Sequence, residues 1–260
     1  MTATAGILAH LTAIPSPYGI GTLGKPAERW IDFLFAAGQS AWQILPIGPV
    51  GPGNSPYQAC SSYAGDPLFI DPEPLYRWGL IAHETLKRCK AQDLVAPVDY
   101  DRQREASMSA LREAFRHIDE GTRAQIDRFA GSHPWIGDYS RFMAWKEHFG
   151  SAWIDWPEPL RRRETAAVER ESEKHAESIA FWQFVQWLFY LQYHEMKTYA
   201  HQRGVAIIGD MPIYPALDSA DVWANPDCFE LGEDGRPTRV AGVPPDAFSD
   251  SGQLWGNPLY

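Results

Sequence analysis

VAIIGDMPIY, residues 205–214, joins an apolar run to a carboxylate and decides the fold of this chain. Gly204 before it is suited to ending a helix, and Met211-Pro212 within it ends strand pairing. Consecutive apolar residues between two such signals predict a parallel strand over 205–211 that is buried on both faces. Asp210 then lies either at the C-terminal end of this strand, where α/β proteins place their chemistry, or in a solvated loop where it caps the next turn.

Two earlier stretches predict strands that pair with it. GILAHL at 6–11 and AWQILPI at 41–47 have strand character, and Lys25-Pro26 between them begins a predicted helix. That helix places apolar residues on one face and ends at Gly38: Ala27, Trp30, Ile31, Leu34 and Phe35. The order strand, helix, strand predicts a parallel sheet and therefore an α/β fold.

The middle of the chain predicts helices only. We expect a helical insertion over 72–203, after a first segment at 1–71 with two strands and a site loop. A last segment at 204–260 is expected to hold the third strand, a small hairpin with its turn at Asp234-Gly235, and a cleft loop. The predicted helices of the insertion cover 101–117, 120–129, 139–148 and 165–203. Aromatic residues crowd 181–193, and their distribution around the helix favours core packing over a ligand-stacking platform.

Composition excludes several classes of partner. Lys and Arg number 23 against 33 Asp and Glu, a net charge of -10, so we expect no nucleic-acid partner. The most apolar segment, 179–191, is shorter than the roughly 20 residues that a membrane span needs, so no membrane partner is expected. Cys60, Cys89 and Cys228 show no CxxC pair, and the N-terminus lacks a signal-peptide pattern. These features predict a reduced, cytoplasmic protein.

Two short motifs resemble a cofactor site and a metal site, but the residues around each do not support that interpretation. Gly19, Gly21 and Gly24 match GxGxxG, but the stretch IPSPY at 14–18 intervenes between the preceding strand and the pattern, and no acidic residue ends the second strand. His194-Glu195 begins like a zinc-protease motif, but Thr198 stands where the second histidine is required. We therefore predict no cofactor and no metal.

Two loops have the composition of a binding site. Residues 48–71 are rich in Gly, Pro and Ser and too aromatic for a mere linker. The loop at 241–260 carries side chains suited to a sugar: Asp246, Phe248, Gln253, Trp255 and Asn257. Pyranose rings offer apolar C–H faces rimmed by hydroxyl groups, and flat aromatic rings beside short polar groups match both. The alternative is that this second loop only packs its own aromatic residues.

Three stretches, 6–24, 37–71 and 205–260, are similar to signature stretches of the 4-alpha-glucanotransferases called amylomaltases or disproportionating enzymes, glycoside hydrolase family 77. They include GIGTLG, GNSPYQ and GDMPIY. The resemblance implies a (β/α)8 TIM barrel of the α-amylase type, of which this chain would hold the first three β/α units. It implies that maltooligosaccharides and α-1,4-glucans are bound by Ser55 and Tyr57 near the cleaved bond, Asp210 at the central glucose, and Asp246, Phe248, Gln253 and Trp255 in a loop over the cleft.

The resemblance also implies what this chain lacks. The family's reaction is a retaining, double-displacement transfer, and its nucleophilic aspartate and acid/base glutamate follow barrel strands four and five. We expect both beyond Tyr260, so no catalytic residue is assigned and the chain is expected to be truncated. Many relatives have an aromatic residue where this chain has Pro52, which leaves a carbohydrate contact there open. The alternative functions are a non-catalytic α-glucan-binding remnant and a nicotinamide-dependent oxidoreductase.

Overall fold

The structure is a computed structural model that describes residues 5–51, 53–91 and 97–260. The chain divides into two units, each assembled from three separate segments. The first unit comprises Met1–Ile47, Gly65–His133 and Gln183–Met211. The second comprises Gly48–Ala64, Pro134–Trp182 and Pro212–Tyr260. None of the described helices is both long enough and apolar enough to cross a membrane.

The first unit contains a three-stranded parallel sheet. Strands β1 (Gly6–Leu8), β2 (Ala41–Gln43) and β3 (Ala206–Ile208) lie in the order β1-β2-β3, as predicted. Each strand is shorter than its prediction. At its C-terminal end each pairing is extended by a hydrogen bond, from Ala9 N to Gln43 O at 3.0 Å and from Ile44 N to Ile208 O at 2.9 Å. The chain then turns away from the sheet, and Pro46 has no N–H with which to continue the ladder.

One face of this sheet is covered and the other is open. Helix α1 (Lys25–Ala36), which confirms its prediction, packs Trp30 edge-on against the fully buried Trp42 of β2, with ring centroids 6.4 Å apart. On the opposite face, Leu8 is 57% exposed and Ile208 is 48% exposed. The prediction that the third strand is buried on both faces is therefore wrong for Ile208, because no described element covers the second face.

The described residues between β2 and β3 contain eight α-helices and no strand of either sheet. They are α2 (Pro72–Arg77), α3 (His83–Cys89), α4 (Tyr100–His117), α5 (Glu120–Ser132), α6 (Trp135–Phe149), α7 (Glu158–Arg161), α8 (Thr165–Lys174) and α9 (Ala176–Gln202). The helix predicted over 165–203 is thus two helices, interrupted at His175. The carbonyl of His175 accepts a hydrogen bond from Ile179 N at 2.9 Å, which begins α9.

Helix α9 contributes residues 176–182 to the second unit and 183–202 to the first. Its large aromatic side chains Phe181, Trp182, Phe184 and Phe189 are buried, which confirms core packing over a ligand-stacking platform. Two buried glutamines of the same helix hydrogen-bond to main-chain groups that are distant in the sequence. Gln186 bonds both the N–H and the C=O of Gly65, at 2.8 and 3.0 Å. Gln192 bonds Asp71 in the same way, at 2.7 and 3.0 Å.

Gly65→Ala is expected to destabilise the protein by about 1–3 kcal/mol, the usual cost of overpacking a core. A methyl group at Gly65 would overlap ring carbons of Phe189. The main chain cannot shift away from the ring without breaking its two hydrogen bonds to Gln186. Chemical denaturation measures the loss. Gly131→Ala is the matched control, because a methyl group there meets nothing within 4 Å in helix α5. Equal stability of both variants would contradict the prediction.

The second unit is built around three buried tryptophans. Trp145 of α6, Trp156 and Trp223 of helix α10 (Ala220–Ala224) meet edge-on, with centroid separations of 5.4 to 5.8 Å. The turn predicted at Asp234-Gly235 is confirmed: Gly235 has φ of +79°, and Leu231 and Pro237 form a bridge across it.

The C-terminal segment is more regular than its composition predicts. Strands β4 (Val240–Val243) and β5 (Gln253–Pro258) pair antiparallel within the stretch that was predicted to be loop throughout. Gly and Pro are depleted in strands, so the sequence signal for β4 and β5 is weak. Only the connection at 244–252 remains a loop, and its two ends are fixed by this pairing.

Candidate functional site

The loop at 48–64 of the second unit folds back on itself. Gly51 N donates to Gln58 O at 3.1 Å, Cys60 N donates to Pro49 O at 2.9 Å, and Val50 bridges Ala59 between them. This pairing presents the predicted site residues on the turn. Ser55 is half-buried there, and its carbonyl accepts from Gln58 N at 3.0 Å. Tyr57 is 46% exposed.

Pro52, the position where a carbohydrate contact was left open, lies outside the described residues. The base of the same loop is anchored to α10. Ala220 N donates to Cys60 O at 2.9 Å, and Asp221 accepts from Ser62 N at 2.7 Å. Burial raises the pKa of Asp221, while the hydrogen bond from Ser62 opposes that rise. The loop is therefore held at its base while its turn stays accessible.

Asn257 of β5 joins three segments of the second unit. Its side-chain oxygen accepts from Gln58 Nε2 at 2.9 Å, and its side-chain nitrogen donates to the carbonyls of Tyr214 and Pro215 at 3.0 and 3.1 Å. The residue is only 4% exposed, so these bonds replace the water that its amide would otherwise bind. Asn257 thereby fixes the loop beside Tyr57 to the strand that carries Gln253 and Trp255.

The loop at 244–252 holds Asp246 and Phe248 in a tight turn. One carboxylate oxygen of Asp246 accepts from Phe248 N at 2.8 Å and from Ser249 N at 3.0 Å. Ser249 Oγ donates to Gly252 O at 2.7 Å and closes the turn. Two main-chain donors thus occupy that oxygen of Asp246, and the side chain of Phe248 is left 92% exposed.

Exposed aromatic faces and polar groups alternate along this part of the second unit. Trp255 is 42% exposed, and its indole N–H donates to Gln253 Oε1 at 3.1 Å, which orients both side chains. The ring of Tyr214 lies 6.4 Å from that of Trp255 and tilted to it. Flat apolar rings beside oriented amide and carboxylate groups are suited to a ligand that has both apolar faces and hydroxyl groups.

Asp210 belongs to the first unit. It is exposed and lies two residues after Ile208, the last residue of β3. Its side chain is therefore placed at the carboxyl end of a parallel strand, the first of the two positions considered from the sequence. Chemistry in α/β folds is concentrated at that end of the strands.

The sequence did not identify the residues that position this region. Gln58 and Asn257 lie 199 positions apart and bond side chain to side chain. A polar residue in a loop carries no local signal of such a partner, because the contact arises only after β4 and β5 have paired. From the sequence, Asn257 was expected among the polar residues of the 241–260 loop that suit a sugar, but its burial and its bonds to Gln58, Tyr214 and Pro215 make it a positioning residue.

The GxGxxG pattern is explained by contacts inside the first unit. A methyl group at Gly21 would overlap the carbonyl oxygen of Leu11, and one at Gly24 would overlap the carboxylate of Asp71. That carboxylate also accepts from Thr22 Oγ1 at 2.9 Å. Burial raises the pKa of Asp71, and its hydrogen bonds oppose the rise. These glycines therefore let the chain pack closely against itself.

Comparison with known proteins gives one consistent family. The profile of the 4-alpha-glucanotransferases, glycoside hydrolase family 77, matches residues 9–260. The 4-alpha-glucanotransferase of Aquifex aeolicus is 45% identical over 98% of this chain and 52% of its own length. That of Thermus thermophilus is 46% identical over 98% of this chain and 51% of its own length.

A solved structure agrees with the sequence relatives. Amylomaltase from Streptococcus agalactiae in complex with acarbose superposes with a TM-score of 0.95 at 39% identity, over 100% of this chain and 53% of that one. The chain therefore spans about half the length of the relatives that it matches.

Proposed function

The chain belongs to the 4-alpha-glucanotransferase family, and we propose from this membership that it forms the glucan-binding half of an enzyme that transfers segments of α-1,4-glucan between maltooligosaccharides. The observation that carries the proposal is the exposed aromatic and polar surface of the second unit. Phe248 is 92% exposed, although a phenylalanine ring gains from burial. A sugar ring stacked on it would recover part of that gain.

We propose that β1, β2 and β3 are the first three strands of a (β/α)8 barrel of the α-amylase type. Their parallel pairing in chain order, with α1 as the first crossover and α2 to α9 in the second, supports this arrangement. The division into 1–71, 72–203 and 204–260, with the middle segment as a helical insertion in the barrel, is part of the same proposal.

Each site residue receives a role that fits its surroundings. Tyr57, Phe248 and Trp255 offer exposed ring faces to the C–H surfaces of glucose units. Ser55, Gln253 and Asp246 offer hydrogen-bonding groups to hydroxyls, and the bonds to Asp246 from main-chain donors keep its carboxylate fixed. Asp210 binds glucose hydroxyls as an exposed carboxylate.

The proposed mechanism is a retaining double displacement. One carboxylate attacks the anomeric carbon, a second about 5 Å away protonates the leaving oxygen, and an acceptor sugar replaces water in the second step. We propose that both carboxylates belong to the half of the relatives that this chain does not match. The turn contacts of Asp246 favour a positioning role for it over that of a nucleophile. No cofactor is needed, and the proposed location is the cytoplasm.

The test uses the full-length protein, meaning the product of the whole reading frame that encodes this chain. Incubated with maltotriose after removal of metals and nucleotides, it should form glucose and a ladder of longer maltooligosaccharides, which chromatography resolves. Hydrolysis to glucose and maltose alone would contradict transfer. A requirement for added NAD would support the oxidoreductase. Binding of maltooligosaccharides without turnover would support a non-catalytic remnant.

A further inference from the structure

A second cluster of chemically competent side chains lies in the second unit, outside the proposed glucan surface. His148 of α6, Glu171 of α8 and His175 after α8 each offer one ligand atom, and these atoms lie within 4.8 Å of one another. The two imidazole rings have centroids 4.4 Å apart, tilted by 48°. Among the described residues, this is the group whose donors have the spacing of a metal site.

The position of the cluster follows from the helix break described above. Glu171 and His175 are four residues apart, so they project from the same side of one helical turn. His175 ends α8, and its ring nitrogen Nε2 already lies 3.2 Å from Glu171 Oε1. His148 approaches from α6, near the end of that helix, where its side chain is exposed and its ring lies edge-on to Phe149.

The donor set has a distinct preference among metals. Two imidazoles and one carboxylate bind Zn²⁺ in open sites that retain a water ligand, with bonds of about 2 Å. Such bonds place ligand atoms roughly 3.3 Å apart in a tetrahedral site. The Glu171–His175 separation of 3.2 Å already fits. The ligand atom of His148 lies within 4.8 Å of the other two and would move closer to them when a metal binds. Ca²⁺ and Mg²⁺ prefer oxygen ligands and are disfavoured here.

The other carboxylate oxygen of Glu171 has a partner of its own. Lys174 Nζ contacts Glu171 Oε2 at 2.8 Å, while Oε1 faces His175. A metal at Oε1 would displace only the bond to His175 and would leave the Lys174 contact intact.

We propose that His148, Glu171 and His175 form a binding site for Zn²⁺ or a similar transition-metal ion, which would link α6 to the end of α8. The sequence directed attention to His194-Glu195 instead, where the motif is incomplete. The cluster has no sequence signature of its own, because His148 is separated from the other two ligands by more than twenty residues.

The test is a titration of the chelator-treated full-length protein with Co²⁺, followed by displacement with Zn²⁺. Visible absorption by bound Co²⁺ reports nitrogen and oxygen ligation, and calorimetry gives the stoichiometry. His148→Ala should lose one equivalent of metal or bind it at least about tenfold more weakly. Glu171→Gln should do the same, because it preserves the side-chain size and removes the charge.

His194→Ala is the matched control, since His194 is an exposed histidine of α9 outside the cluster. It should retain the stoichiometry and spectrum of the unmodified protein. Circular dichroism verifies that His148→Ala is folded, which its exposed position favours. The proposal is overturned if the unmodified protein shows no saturable binding. It is equally overturned if folded His148→Ala and Glu171→Gln both bind as the unmodified protein does.

Discussion

Asp210→Asn in the full-length protein is expected to lower transfer from maltotriose by about 10- to 100-fold while leaving the melting temperature unchanged. Asp210 is exposed at the carboxyl end of β3, and we propose that its charge strengthens hydrogen bonds to glucan hydroxyls. A hydrogen bond to a charged group contributes about 1.5–3 kcal/mol, and each 1.4 kcal/mol is a factor of ten in rate. The amide keeps the shape of the side chain and removes the charge.

The matched control is Asp127→Asn, the same chemical change at an exposed position of helix α5. It should leave kcat/KM for maltotriose unaltered. Asp210→Asn should reduce kcat/KM and leave the melting temperature unchanged. A binding role affects only kcat/KM, whereas a structural role would also lower the melting temperature. Near-normal turnover would show that Asp210 does not contact the glucan. A large fall in melting temperature would instead assign it a structural role.

The three-stranded sheet shows which features of the fold can be predicted from the sequence. Apolar runs and helix boundaries predicted three parallel strands and the crossover helix α1, because hydrophobic periodicity is a local property. The predictions of strand length, and of burial on both faces of β3, were wrong. Whether Ile208 is covered depends on elements that are distant in the chain, and the alternation of side chains exposes it while Trp42 on the other face is buried.

The site shows a different limit. Residue chemistry alone singled out Asp210 at a strand end and the aromatic and polar residues of the 241–260 loop. The family resemblance added Ser55 and Tyr57 and gave each residue its expected role. The turn that fixes Asp246 and the bonds made by Asn257 depend on the pairing of β4 with β5. That pairing joins stretches rich in Gly and Pro, which local propensity assigns to loops. Residues that position a site are therefore harder to predict than residues that touch a ligand.

Residues 1–260 expressed by themselves are expected to show no transfer from maltotriose and to self-associate. We place the two catalytic carboxylates outside this part of the sequence, and one face of the sheet carries Leu8 and Ile208 in contact with solvent. The sequence alone suggested Ile44, Ile207 and Ile208 for the exposed surface of the sheet. Ile208 is exposed, whereas Ile44 is buried at 4% exposure and Ile207 is half-buried. Each large apolar side chain gains about 1.5–3 kcal/mol on burial, against a typical total stability of 5–15 kcal/mol.

Sedimentation, thermal unfolding and the maltotriose assay test this expectation together. Leu8→Gln tests whether self-association and inactivity have different causes. It should reduce the self-association of residues 1–260, because it removes an apolar side chain from the exposed face of the sheet. It should leave these residues inactive, because the catalytic carboxylates are proposed to lie elsewhere. The same change in the full-length protein should lower stability by about 1.5–3 kcal/mol if further strands cover that face of the sheet. A monodisperse, cooperatively melting and active species of 260 residues would contradict the proposal that the catalytic carboxylates lie outside these residues. The carboxylates would then have to be sought among Asp210, Asp246 and their neighbours.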